Sequence, residues 1–509
     1  MGKRYYGIHI DHDAAIAIYN EDGELEFHSQ AERVCRKRHA RPGINLEDLG
    51  GFPPPKEGDV IAISAVSPSK FKLWKANHVY DPIVEMYYEP DTPKATDYNK
   101  WMLGSFPTPK YNLHHHLCHI AASWAYREDD TEKFCMAYDG AGTDAKGDTT
   151  CYLGGYISNA GFTREDINPI PSSNVVHRIL GGDASAGKAM GAVGYFQPDD
   201  NLTPHDIIQL IENSCGKNTR FEGGPPIMYP PHSQEDLIFA AKLYKFWMGH
   251  TWLALEANIL KYRKPNQGVL IGGGTALALE LNTRIFNMCN NVTFCPAADD
   301  SGQALGAATY CYFLETGKWP KPLRTAALQH VHKPNPPLGP QDPARIARLI
   351  ANGKVVGLLR GDAEIGPRAL GYRSLLARAD KDFNLPRVSQ HIKGREFYRP
   401  LAPMVTSDAF DRYFIGPKGK YMQYMVHCND FCQKELPAIV HRDLTSRPQV
   451  VYAQDDPWLY TMLQEYEALT GHPVLINTSL NGKGKPICNT LQDAQEDMKG
   501  KSVDLISIA

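Results

Sequence analysis

Tyr5-Tyr6-Gly7-Ile8-His9-Ile10-Asp11-His12-Asp13-Ala14-Ala15-Ile16-Ala17-Ile18-Tyr19 is the stretch that sets the fold. Tyr5 to Ile10 and Ala14 to Tyr19 are short apolar strands, and Asp11, His12 and Asp13 make a polar turn between them. Glu21-Asp22-Gly23-Glu24 supplies a second turn and Leu25 to Ser29 a third strand, so the chain opens as an antiparallel meander. A solvated hairpin is the plain alternative, and residues further along decide between the two.

Outward from that meander, Asn112-Leu113-His114-His115-His116-Leu117-Cys118-His119 opens a helix that continues through Ile120 to Tyr126. His115 and His119 stand at i and i+4, share one helical face and can grip one cation. The buried strand Phe134 to Tyr138 runs into Asp139-Gly140-Ala141-Gly142, which puts a carboxylate on a turn beside a strand end. Two imidazoles and a carboxylate are a donor set for a divalent metal. Val269-Leu270-Ile271, Gly272-Gly273-Gly274-Thr275 and a helix through Asn282 form a strand, glycine turn and helix start, an arrangement suited to a nucleotide or anion. In Pro296-Ala297-Ala298-Asp299-Asp300-Ser301-Gly302 an aspartate begins a helix, either as its cap or as a further cation ligand. Gly181-Gly182-Asp183-Ala184-Ser185-Ala186-Gly187-Lys188 is flexible and ends in a lysine, but lacks P-loop spacing. Residues 196–232 look like a loop-bearing insertion, followed by a helix capped by Ser233 and running to about Tyr262.

Pro320, Pro322, Pro334, Pro336, Pro337, Pro340 and Pro343 mark a linker. Beyond it, a helix (Ala344 to Asn352) and a strand (Val355 to Leu359) lead into basic motifs. These are Gly366-Pro367-Arg368-Ala369-Leu370-Gly371-Tyr372-Arg373-Ser374, Lys393-Gly394-Arg395-Glu396-Phe397-Tyr398-Arg399-Pro400, Thr445-Ser446-Arg447-Pro448-Gln449 and Asn477-Thr478-Ser479-Leu480-Asn481. Guanidinium groups mixed with hydroxyl and amide donors are what a phosphate pocket needs. Glu32 to His39 is also densely basic and is expected either as a solvated face or as part of an anion site.

Length and composition bound the rest. At 509 residues the chain needs more than one core. A net charge of −3 gives no global basic field for nucleic acid or anionic membrane. Eleven cysteines without a CxxC pair point to reduced thiols and a cytoplasmic setting. No signal peptide is apparent at the N-terminus, and no apolar run reaches transmembrane length.

With these motifs in this order, the chain resembles the O-carbamoyltransferase family of cephalosporin, aminoglycoside and nodulation-factor carbamoyltransferases. The resemblance covers residues 5–40, 112–144, 181–195, 268–310 and 350–490, and the C-terminal motifs are its most specific part. It implies an α/β and α+β chain of two domains. Residues 1–325 would be an actin-like, ATPase-type carbamoyl-transfer domain holding the metal and adenylate site, since such domains begin with strands closing around a polar turn. Residues 343–509 would be a threonylcarbamoyl-adenylate-synthase-like domain, with 326–342 as the proline-rich linker. In this family carbamoyl phosphate and ATP give carbamoyl-adenylate and pyrophosphate in the second domain, and an alcohol takes the carbamoyl group in the first as AMP leaves.

Carried over by motif, Arg368, Lys393, Arg399, Arg447, Asn477 and Ser479 would bind carbamoyl phosphate and nucleotide phosphates, with Arg368, Lys393 and Arg399 acting in catalysis. His115, His119, Asp139 and Asp300 would hold a divalent metal, iron being the one implied. Lys188, Gly272, Gly273, Gly274 and Asn282 would face nucleotide in the first domain, and His12 is the candidate base. ATP would enter with Mg. The partners implied are carbamoyl phosphate, ATP and a small hydroxyl acceptor, without membrane or nucleic acid, and a homodimer is compatible. The chain departs from the family pattern at Arg38, where lysine is usual, at Ala186, where glutamate precedes Gly-Lys, and at Ala278, where asparagine is usual. The acceptor is open among natural-product, sugar and hydroxymethyl-nucleotide alcohols, with loops 67–110 and 196–232 expected to choose it. The rival readings are a tRNA threonylcarbamoyladenosine-type transferase, a non-haem iron oxygenase built on two histidines and a carboxylate, and a catalytically silent nucleotide- or metal-binding protein.

Overall fold

The computed structural model describes residues 2–9, 12–40, 51–64, 84–86, 109–143, 149–170, 185–197, 234–331 and 334–508. Asp11, residues 181–184, the Ser233 cap, most of loops 67–110 and 196–232, and the side chain of Lys188 lie outside the described residues.

The opening meander forms as expected. β1 (Tyr5–His9), β2 (Ala15–Tyr19) and β3 (Leu25–Gln30) join β4 (Val60–Ser64), β5 (Val84–Met86) and β6 (Tyr111–Leu113) in the order β3-β2-β1-β4-β6-β5. β1 lies antiparallel to β2, Tyr5 opposite Tyr19, and parallel to β4, Tyr5 opposite Val60. Alternation along the strands divides their side chains between two cores. Tyr6, Ile8, Ile16 and Ile18 enter one with Ile61 and Ile63, while Tyr5, Ala15, Ala17 and Tyr19 enter a larger one lined by helices.

A second sheet repeats the plan. β7 (Lys133–Thr143), β8 (Thr149–Ser158) and β9 (Gly161–Glu165) form an antiparallel meander, and β10 (Gly268–Gly272) and β11 (Val292–Phe294) continue it in parallel, giving the order β11-β10-β7-β8-β9. The helices of this half are α1 (His115–Trp124), α2 (Ser185–Phe196), α3 (Gln234–Tyr262), α4 (Leu279–Cys289) and α5 (Gln303–Thr316). α5 packs on β1 and β2, α1 packs on β7 and β10, and the two helices pack on each other, so the layers run sheet, α5, α1, sheet. Gly306 permits that contact, because a Cβ there would fall 1.8 Å from the Cys118 carbonyl oxygen. This stacking brings the N-termini of α1 and α5 to the ends of β7 and β10. The helix expected to run from the glycine turn through Asn282 is interrupted. Gly274–Leu277 is a single 3-10 turn and Ala278 is extended (φ −80°, ψ 95°) before α4 begins.

The proline-rich stretch carries pairing of its own. Ala327–Gln329 (β12) pairs with Ala363–Glu364 (β14), and Leu338 bridges Ser507. α6 (Pro343–Ala351) starts on Asp342, whose carboxylate accepts from the Ala344 N–H, with Pro343 in the first turn. The third sheet has the order β20-β16-β21-β15-β13-β22, from β13 (Val356–Arg360), β15 (Arg373–Arg378), β16 (Ala402–Thr406), β20 (Gln449–Val451), β21 (Val474–Ser479) and β22 (Asp504–Ile508). Leu376, Met404 and Leu475 face α6 and α7 (Pro457–Thr470), while their neighbours Leu375, Val405 and Ile476 face the opposite core. A small sheet of Phe414–Ile415, Val426–Cys428 and Thr445–Ser446 (β17 to β19) sits beside it.

The basic run after β3 joins the halves. Buried Arg33 donates from Nη2 to the Gly366 carbonyl at 2.7 Å. Arg36 reaches the Asp497 carboxylate at 2.7 Å and the Ile487 carbonyl at 2.8 Å. Lys37 and Arg38 are exposed. Of the two readings expected for this run, neither describes Arg33 and Arg36, whose partners come from the chain's own second half. Two meander-led sheets around paired helices form an actin-like α/β architecture, joined to an α+β half, which is the fold class that the resemblance implied.

Candidate active site: a metal cluster and an arginine cavity

α1 begins at His115, earlier than its apolar content suggests, because His114 Nδ1 accepts the His116 N–H at 3.1 Å and caps it. His116 turns to Thr150, its Nδ1 lying 3.2 Å from the hydroxyl. The remaining pair, His115 and His119, faces Asp139 on β7 and Asp300 ahead of α5, and one ligand atom from each of the four lies within 4.8 Å of the others. His119 Nε2 is 2.9 Å from Asp139 Oδ2 and 3.3 Å from Asp300 Oδ1; His115 Nε2 is 3.2 Å from Asp300 Oδ1. The aspartate doublet divides its work. Asp299 accepts the Ser301 N–H as the cap, which leaves Asp300 to turn into the cluster.

The charge pattern of this cluster suits a cation. Burial opposes charge on His115, but the carboxylates of Asp300 and Asp139 outweigh it and carry its pKa up to about 10. Asp139 and Asp300 are themselves held well below the usual carboxylate range; burial opposes this, and the two histidines outweigh it. His115 Nε2 and Asp300 Oδ1 are buried 3.2 Å apart, and among the described residues neither makes a well-formed hydrogen bond. Two buried polar atoms that face each other without a well-formed hydrogen bond, among four converging donors, fit a divalent metal bound by two imidazoles and two carboxylates.

The glycine turn supports this cluster. Gly273 has φ 81°, and a Cβ on it would lie 2.1 Å from the Tyr138 carbonyl oxygen, next to Asp139. Gly272 sits against the His119 backbone, and Gly274 against the Asp139 carboxylate. Gly273→Ala is therefore expected to cost at least about 2 kcal/mol by combining left-handed strain with a backbone clash. Chemical denaturation would measure this, and metal retention should fall with it.

His12 adjoins the cluster. Its Nε2 is 3.3 Å from Asp300 Oδ2 and its Nδ1 is 3.0 Å from Asp13 Oδ2. Asp13, at φ 64°, also binds His39 Nδ1 at 2.9 Å. Asn282 commits Nδ2 to the carbonyls of Ala276 (2.7 Å) and Gln423 (2.9 Å), a tie between the halves.

A cavity of about 190 Å³ lies between α2, α3 and α4 of the first half and the third sheet of the second. Arg368, Arg395, Arg399, Arg447, Asn477 and Ser479 line it. Burial and repulsion from neighbouring guanidinium groups disfavour charge on three of these arginines, lowering Arg395 to about 9 and Arg368 to about 10, and Arg447 well below its ordinary value. The Arg447 Nε has no hydrogen-bond partner among the described residues. Arg399 has Glu396 at 3.6 Å, and Arg368, Arg395 and Arg447 have no ion-pair partner among the described residues; such a crowd of cations calls for a polyanion. Lys393 does not line the cavity. It is buried and donates to Ser479 Oγ (3.1 Å), Asn481 Oδ1 (2.6 Å) and the Ser479 carbonyl, so it organises the turn that presents Ser479. The two sites are electrostatic neighbours, since Asp299, beside the cluster, also acts on Arg368.

Sequence reading missed Arg395, which sits inside a motif it singled out, because residue type alone could not say which bases face the cavity. It also missed Asp13, His39, His441 and Asp443. Only a histidine followed two residues later by an aspartate signals the last two.

Residues 347–509 match the family model described as "Carbamoyltransferase C-terminus". Nodulation protein NolO of Bradyrhizobium diazoefficiens is 30% identical over 433 residues, covering 75% of each chain. An uncharacterised protein of Methanocaldococcus jannaschii is 26% identical over 443 residues, covering 77% of this chain and 72% of that protein. Among solved structures, full-length HypF in a phosphate- and nucleotide-bound form overlaps 63% of this chain and 57% of its own at 15% identity, with a TM-score of 0.32. With a family model over the arginine motifs and a nodulation protein aligned along three quarters of both chains, this protein belongs to the O-carbamoyltransferase family and is a carbamoyltransferase.

Proposed function

We propose that the protein is an ATP-dependent O-carbamoyltransferase working in two sites, with activation in residues 343–509 and transfer in residues 1–325. The observation that carries this reading is a four-guanidinium cavity next to a four-donor metal cluster in one chain. In the cavity, Arg368, Arg395, Arg399 and Arg447 hold carbamoyl phosphate and the ATP phosphates, with Mg accompanying ATP. Balance requires water. The phosphate of carbamoyl phosphate leaves as inorganic phosphate, a carbamate oxygen bonds to the α-phosphorus of ATP, and pyrophosphate departs with the electron pair.

At the cluster, His115, His119, Asp139 and Asp300 hold a divalent cation, proposed as iron. When bound, it supplies Lewis-acid neutralisation at the phosphate that leaves as AMP. Gly272 to Gly274 and Lys188 are the proposed nucleotide contacts there. His12, held at Nδ1 by Asp13, takes the acceptor hydroxyl proton at Nε2 while the acceptor oxygen bonds to the carbamoyl carbon and the bond to AMP breaks. The acceptor is a natural-product, sugar or hydroxymethyl-nucleotide alcohol. The second carboxylate, Asp300, and the arginine cavity disfavour a two-histidine, one-carboxylate oxygenase. Among the described residues, no helix is long and apolar enough to cross a membrane.

The test incubates the protein with ATP, labelled carbamoyl phosphate and a panel of alcohols, following AMP, pyrophosphate, phosphate and carbamate product. Equal amounts of pyrophosphate and phosphate, and label in one alcohol, are expected. Absence of AMP with every alcohol and with water would overturn the reading.

A further inference from the structure

The arginine cavity is rich in donors and poor in acceptors. Arginine has no acceptor atom. Several side-chain oxygens on the wall are already engaged. Glu280 pairs with Arg284 at 2.5 Å, Ser446 Oγ donates to the Ile439 carbonyl at 2.9 Å, and Ser479 Oγ donates to Asn481 at 2.7 Å. Two lining residues each keep a buried acceptor atom without a protein partner among the described residues, His441 at Nε2 and Asn477 at Oδ1.

Neighbouring groups fix both orientations. Asp443 Oδ1 lies 3.1 Å from His441 Nδ1 and also accepts from the Thr445 N–H at 3.1 Å and its hydroxyl at 2.6 Å. These bonds, together with the His441 hydrogen bond, hold the Asp443 carboxyl below its ordinary range against the opposing effect of burial. In the neutral ring a carboxylate at Nδ1 keeps the proton there and leaves Nε2 an acceptor. For Asn477, Gln449 gives its own N–H to the Leu370 carbonyl at 2.9 Å, so its Oε1 must accept. Asn477 Nδ2 donates to that Oε1 at 2.8 Å and to the Ala369 carbonyl at 3.0 Å, which leaves Oδ1 as the unpaired atom.

The phosphate groups of carbamoyl phosphate and ATP present only acceptors to such a wall. A carbamoyl group adds an NH2 with two donors. We infer that His441 Nε2 and Asn477 Oδ1 form the acceptor pair that recognises the carbamoyl amide, with Asp443 as the positioning residue for His441. This rests on the reading of the cavity as the carbamoyl phosphate site. It predicts that the pocket discriminates against acetyl phosphate, which has the same phosphate but a methyl in place of the amide. A site built to bond an N–H discriminates strongly against the analogue that lacks it.

The test uses the full-length protein and pyrophosphate release. His441→Phe is expected to lower kcat/KM for carbamoyl phosphate about 10- to 100-fold, with the KM for ATP and the inhibition constant of acetyl phosphate unchanged. His441→Gln, whose side-chain oxygen can accept, should keep most of the preference. Asp443→Ala, which frees the ring but leaves it in place, should raise the KM for carbamoyl phosphate more than it lowers kcat, and it carries the test should the Phe variant not fold. Preserved discrimination in His441→Phe, or an equal loss of affinity for carbamoyl and acetyl phosphate, overturns the acceptor pair alone. If the unaltered protein releases no pyrophosphate from carbamoyl phosphate, the reading of the cavity falls first and the pair with it.

Discussion

His119→Ala is expected to lower carbamoyl transfer by at least about 100- to 1,000-fold while pyrophosphate release continues. His119 is 1% exposed, and its Nε2 contacts Asp139 and Asp300 at once. Removing the imidazole takes away a metal donor and leaves the half-buried Asp139 and buried Asp300 carboxylates facing each other with one histidine between them. Loss of a partner from a buried charged group is costly, so the site should lose its cation before the fold is lost. The arginine cavity shares no side chain with the cluster, and activation should persist there. Metal content, AMP coupled to carbamate product, and pyrophosphate would be measured on one preparation. Transfer at the original rate by a metal-free variant would show that the cluster has another role.

Arg447→Met should separate stability from activity. Arg447 is half-buried with a buried Nε that has no partner among the described residues, and its charge is disfavoured first by burial and then by Arg368, Arg395 and Arg399. A methionine of similar length removes an unsatisfied buried donor and one repelling charge. Unliganded stability should rise by about 1–3 kcal/mol, while pyrophosphate release falls about 100-fold or more as a charge-assisted contact to phosphate is lost. ATP or inorganic phosphate should raise the Tm of the unaltered protein more than that of the variant. A variant less stable than the original, or one with unchanged kcat/KM, would contradict the assignment of these arginines to an anion.

Much of the fold was legible along the chain. The meander of Tyr5 to Ser29, the strands at Phe134 and Val269 and the helix expected from Ala344 depend on side-chain alternation, turn residues and caps within a few positions, which any isolated segment carries. The i, i+4 spacing of His115 and His119 likewise specified a shared face, and the structure brings both histidines to Asp139. The same local logic misjudged the continuous helix after Gly274, where a 3-10 turn and extended Ala278 intervene.

What the sequence determined by itself is therefore the set of elements and the inventory of ligand-type residues, because both follow from short-range periodicity and side-chain chemistry. Which residues of one type do which work was decided only by tertiary structure. Of neighbouring aspartates, Asp299 caps and Asp300 turns inward. Of neighbouring bases, Arg33 and Arg36 join the halves while Arg395 faces the cavity. Lys393 holds a turn, and Asn282 ties α4 to the second half. The physical reason is that a donor or an acceptor is defined in the sequence, but its partner is supplied by chain folded back from hundreds of residues away, and burial forces every such group to find one.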